Sequence, residues 1–225
     1  MKKFLLGVLA FQLFAFAANA QIEKGSIMLG GNVNFNSSNS EHLLGMLPNV
    51  TATNYDSNEF LFNPRFGYSL GNNWVIGTVL SFTTGQTTRK TVSSTSSSST
   101  IEENIVESDA FGASLFARKY LPFGDKFSVF GELISGANWR TVNSLYNSSQ
   151  GSSSENETKY TEYTTSLSAG LAYFPKNWLA LELSSNLVTF TTGEQNQSSP
   201  NYNSFSFGLN TSSINLGVSF FLNNK

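Results

Sequence analysis

From Phe60 the hydrophobic positions alternate. Phe60, Phe62, Pro64, Phe66, Tyr68 and Leu70 fall on one face, and Asn63, Arg65, Gly67 and Ser69 on the other. A period of two describes a strand whose faces meet different solvents. Gly71-Asn72-Asn73 then interrupts the pattern with residues that tolerate positive φ. Alternation resumes with Trp74, Ile76, Thr78, Leu80 and Phe82 against Gly77, Ser81 and Thr83. The stretch predicts a β-hairpin. Ala110–Ala137 repeats it around a turn at Pro122–Lys126, and Thr164–Phe190 around Pro175-Lys176-Asn177. A Tyr closes each incoming strand (Tyr68, Tyr120, Tyr173), and a Trp or Phe opens each outgoing one (Trp74, Phe127, Trp178). These six aromatics are expected to form a girdle of the kind found at a membrane–water boundary. Ordinary hairpin packing in a soluble sandwich is the alternative.

The remaining chain supplies two more strands. Gly25–Asn36 turns Ile27, Leu29, Val33 and Phe35 one way and Ser26, Gly30, Asn32, Asn34 and Asn36 the other. A last strand runs from about Ser204 to Leu222, where Phe205, Phe207 and Leu209 are odd-numbered but Ile214, Leu216, Val218 and Phe220 are even. The phase slips near Thr211–Ser213, as a β-bulge or a break would make it. Strand seven is read as turning out Leu179, Leu181, Leu183 and Leu187. Between these segments, residues 37–58, 84–108, 139–161 and 191–203 are polar and rich in Ser, Thr and Asn, and read as long loops. Long and short connections therefore alternate around eight antiparallel strands. Transmembrane barrels have short periplasmic turns and long extracellular loops, and tilted strands of ~9–11 residues suffice to cross.

Composition narrows the choice. Lys2 and Lys3, the apolar run Phe4–Ala17 and Ala18-Asn19-Ala20 make residues 1–20 a secretory signal peptide. This leaves residues 21–225 as one barrel domain. Without Lys2 and Lys3, 11 basic residues face 15 acidic ones, so nucleic acid is not an expected partner. The chain has no cysteine, and hence no disulfide. No apolar run after residue 20 approaches the ~20 residues of a membrane helix. A closed barrel removes the unpaired edges that lipid would penalise. A lipocalin-like soluble barrel would turn its apolar face inward, whereas here one face carries Gly, Ser, Asn, Arg and Glu.

The segments GSIMLGGNVNF, FNPRFGYSLGNNWVIG, FARKYLPFGDKFSVFGE and NLGVSFFL resemble the eight-stranded outer-membrane β-barrels, the OmpA/OmpX/OmpW-like family in its short versions. The resemblance covers most of residues 25–222. It implies an all-β, antiparallel, up-and-down transmembrane barrel with both termini periplasmic and the long loops extracellular. Its surroundings would be outer-membrane lipid and lipopolysaccharide, with the barrel-assembly machinery as a partner during biogenesis and a monomer as the end state.

Candidate chemistry is confined to the inward face. Arg65, Arg118, Glu132 and Glu182 lie within a few residues of short turns and are expected to cluster in one half of the lumen, with Arg118 beside Glu132. An eight-strand barrel is just wide enough for its side chains to fill it, so these charges must pair. A structural plug of salt bridges is the expected reading, and a gate for small solutes the competing one. The inward glycines Gly30, Gly67, Gly77, Gly112, Gly170 and Gly217 motivate a narrow pore for small or apolar solutes. Catalysis is not expected: His42, the sole histidine, reads as a loop residue, and the strand-borne His-x-Ser pair of lipid A deacylases is missing. Neither cofactor nor metal-ligand spacing is present. The acidic loops are expected to be solvated, with a divalent ion shared with lipopolysaccharide phosphates as the alternative.

Overall fold

The computed structural model describes residues 22–46, 49–95, 98–195, 201–208 and 214–222. The predicted signal peptide and the phase slip at Thr211–Ser213 lie outside them. The strands are β1 (Ile27–Met46), β2 (Asn49–Gly71), β3 (Trp74–Ser94), β4 (Ser99–Phe123), β5 (Phe127–Ser148), β6 (Ser153–Lys176), β7 (Leu179–Gln195), β8 (Tyr202–Phe207) and β9 (Asn215–Leu222). Every pairing is antiparallel, and β1 to β7 pair in chain order. The ring closes through β9, which pairs with β7 on one edge and β1 on the other. β8 and β9 are two parts of the expected last strand, so the fold is an eight-stranded barrel.

Local chemistry explains the short turns. Asn72 and Asn73 have φ of 49° and 60°, the two successive positive values of a type I′ hairpin turn. The outward face is apolar throughout one zone, with Phe66, Leu115, Leu133, Leu171 and Leu216 all exposed. Near the short turns the aromatics meet in pairs: Phe127 lies 5.0 Å from Tyr173, and Trp178 6.1 Å from Phe220. A second aromatic row, unforeseen from the sequence, borders the zone on its other side. There Phe62, Phe82, Phe111 and Trp139 follow one another across four strands at 6.4, 5.2 and 6.0 Å.

Beyond that row the structure departs from the expectation of long loops. The ladder continues unbroken from Phe35 opposite Phe60 to Met46 opposite Asn49. Likewise β3 and β4 stay paired to Ser94 opposite Ser99, and β5 and β6 to Asn147 opposite Ser153. His42 accordingly sits in β1 opposite Thr53, edge-on to Tyr55, and not in a loop. The reason is that both faces of these segments are polar, so alternation vanishes while pairing persists. Hydroxyl pairs knit them across strands: Ser57 with Thr87 at 2.9 Å, and Thr53 with Thr91 at 3.4 Å.

β7 also differs from its reading. Leu167 pairs with Val188 and Ser168 with Asn186, which leaves Leu187 as an inserted residue. The bulge reverses the facing of β7, so that Phe190, not an odd-numbered residue, is exposed beyond it. Phe205 and Phe207 of β8 match the reversed phase opposite Phe190 and Val188, while Leu216 of β9 matches Leu183 below the bulge. The slip in the last strand thus has a counterpart in its neighbour.

Candidate functional site in the barrel lumen

The inward residues near the short turns form a packed interior. Arg118 and Glu132 stand directly opposite each other on β4 and β5. Arg118 Nε donates to Glu132 Oε2 at 2.7 Å, while Nη1 reaches Glu182 Oε2 on β7, also at 2.7 Å. From β2, Arg65 Nη1 donates to both oxygens of Glu132 at 2.7 and 2.6 Å. The four residues expected from the sequence are therefore in one connected group that spans the lumen from β2 to β7. Two guanidinium groups and two carboxylates make it neutral. Arg118 is 1 % exposed, Glu132 3 % and Glu182 7 %.

Tyr120 belongs inside this group and corrects the girdle. It is 1 % exposed, with its hydroxyl accepting from Arg118 Nη1 at 2.7 Å and donating to Glu182 Oε1 at 2.9 Å. Its even number gives it the facing of Arg118, two residues earlier on the same strand. That parity was the available signal, and its aromatic character obscured it. The other five girdle residues, Tyr68, Trp74, Phe127, Tyr173 and Trp178, are exposed on the outer face.

Aromatic rings pack around the charges. Arg118 lies 4.2 Å from the centre of the Phe130 ring, a cation–π contact in a desolvated setting. Tyr120 meets Phe130 at 5.6 Å and Phe174 and Phe221 at 6.1 Å each. Ile22, only 2 % exposed, joins the same buried cluster with Met28 and Val75. Its segment is tied beside the first short turn, where Gly25 N donates to Ser69 O at 2.9 Å. Phe116, Phe130, Phe174, Phe221 and Ile22 were not foreseen as interior residues, though the first four share their strands' inward parity.

The inward glycines make room for these rings. A Cβ on Gly170 would lie 2.3 Å from Phe130 Cζ, and one on Gly67 3.1 Å from Phe116 Cζ. At Gly112 the nearest atom would be Asn138 Oδ1, at 3.0 Å. Toward the other end the lining becomes small and polar, with Ser168 Oγ donating to Asn186 Oδ1 at 2.7 Å. Among the described residues, no group of three or more His, Cys, Asp or Glu side chains is placed to hold a metal ion.

Comparison with known proteins fits this architecture. Residues 19–187 match the family described as outer membrane protein beta-barrel domain. The chain belongs to this family. As an outer-membrane barrel it resides in the outer membrane. No curated protein matches its sequence. Among solved structures, it is similar to Ail, the attachment invasion locus protein of Yersinia pestis, in complex with the heparin analogue sucrose octasulfate. That likeness has 14% identity over 88% of this chain and 96% of Ail, with a TM-score of 0.35. OprG from Pseudomonas aeruginosa is 13% identical over 90% of this chain and 92% of its own, with a TM-score of 0.40. AlkL, determined in DMPC bilayers, is 14% identical over 92% and 94%, with a TM-score of 0.37.

Proposed function

We propose that this outer-membrane barrel has a structural and surface-interaction role, with its lumen closed in the short-turn half. One observation carries the reading: the buried Arg65–Glu132–Arg118–Glu182 group crosses the lumen from β2 to β7 with Tyr120 bonded into it. Buried ions so paired resist being pulled apart, because separation leaves an uncompensated charge. A narrow channel for small or apolar solutes is the competing reading. It is weakened at Gly67, Gly77 and Gly170, where Phe116 and Phe130 fill the space next to the missing side chains.

In this reading the short turns and the N-terminus face the periplasm, and the polar hairpins stand on the cell surface. From Phe60 to Asn49 the strand rises ~37 Å, or roughly 28 Å of height at a tilt near 40°. The tips are thus carried well clear of the apolar zone on paired strands. Lipopolysaccharide surrounds this collar, and the barrel-assembly machinery inserts a monomer. The chain lacks cysteine, which makes the orientation simple to test. Ser149→Cys should react with an impermeant maleimide on intact cells, and Asp125→Cys only after the envelope is opened. The reverse pattern would invert the topology and remove the surface role.

A further inference from the structure

The outer wall of β2, β3 and β4 is interrupted by an apolar groove. Phe66 and Tyr68 stand on one side, Leu115 on the other, and Ile76 and Thr78 cross it. Its floor is Gly67 facing Gly77, with Phe116 behind. On the lumen side, a Cβ on Gly77 would come within 2.8 Å of Phe116 Cε1 and 2.0 Å of Phe66 O, so the packing behind this floor requires glycine. The groove lies in the membrane-facing zone, where lipid chains are the solvent.

A cation stands at its short-turn end. Trp74 pairs with Lys119 of β4 and lies two residues along β3 from Ile76, which lines the groove. Lys119 Nζ lies 5.4 Å from the centre of the Trp74 ring and donates to the carbonyl of Asn72. An ammonium has three donors, and among the described residues Lys119 is in no ion pair. Two residues of strand are ~7 Å, on the scale that separates a lipid phosphate from the start of its chains. Tryptophan favours this head-group level.

We propose that this face binds one glycerophospholipid, with an acyl chain in the groove over Gly67 and Gly77 and the phosphate at Lys119. The choice of phospholipid over lipopolysaccharide rests on the proposed orientation, which puts the short turns in the periplasmic leaflet. The full mature barrel is reconstituted in nanodiscs of phosphatidylethanolamine and phosphatidylglycerol, moved to mild detergent, and its retained lipid counted by native mass spectrometry. One phospholipid should remain on the wild type. Thr78→Trp, which fills the groove from outside, should abolish retention, and Lys119→Gln should lower it on the order of tenfold. Lys126→Gln, in another short turn, should leave it unchanged. Boiling-dependent gel mobility establishes that each variant is folded. Equal retention in Thr78→Trp would overturn the proposal, as would an equal loss in Lys126→Gln, which would mean unspecific attraction to basic turns. Displacement of the phospholipid by lipid A at equal concentration would overturn its assignment. Both leaflets of a nanodisc are alike, so absence of binding is distinct from an inverted topology, which maleimide labelling reports separately.

Discussion

The two ends of the barrel share one backbone ladder and little else. In the short-turn half the outer face is apolar, and the interior is filled by rings and paired charges. In the far half both faces are polar, and side chains meet as hydroxyl pairs such as Ser57 with Thr87. The difference shows that alternation records the two solvents a strand meets, whereas pairing depends on the backbone and the neighbouring strand. Energy is concentrated accordingly. Near the short turns a single side chain satisfies several buried partners, and beyond the outer aromatic row each pair contributes little.

The largest effect should come from Arg118. Arg118→Ala leaves Glu132 with Arg65 alone and removes the guanidinium from Glu182, at a cost of about 3–5 kcal/mol. Urea unfolding in lipid vesicles measures it, and replacing Arg118 and Glu132 together by neutral residues of similar volume should recover much of the loss. An unchanged midpoint would place Arg118 outside any stabilising group.

Tyr120→Phe keeps the ring among Phe130, Phe174 and Phe221 but deletes the hydroxyl shared by Arg118 and Glu182. The expected loss is about 1–3 kcal/mol in the same assay. A loss below that range would mean that Tyr120 acts by packing alone. In the far half, Thr91→Ala removes the 3.4 Å contact with Thr53 and should cost less than about 1 kcal/mol. A penalty as large as that of Arg118→Ala would erase the contrast between the two ends.

Much of this was legible in the sequence for a physical reason. The Phe60–Phe82 hairpin separates its faces cleanly because one meets lipid and the other the lumen, and the Arg118–Glu132 pairing follows from the same separation across the short turn of the Ala110–Ala137 hairpin. Tyr120 was misplaced because an aromatic beside a turn suits a girdle and an interior equally, and only parity separates them. The polar extensions, including His42 in β1, were hidden because a strand wet on both faces has no hydrophobic period. The bulge at Leu187 was missed as well, although the apolar positions pass there from odd (Leu181, Leu183) to even (Val188, Phe190), because composition alone does not record a single inserted residue. The bracing of the lumen by Phe116 and Phe130 depends on glycines of neighbouring strands, a relation between distant residues that periodicity does not contain.

The central claim, that the short-turn half of the lumen is closed, is tested most directly by planar-bilayer recording. The wild-type barrel should insert and stay silent, while Arg118→Ala should admit intermittent ion current as the Arg65–Glu132 and Tyr120–Glu182 contacts lose their common partner. Steady unitary conductance in the wild type, unaltered by Arg118→Ala, would contradict the account.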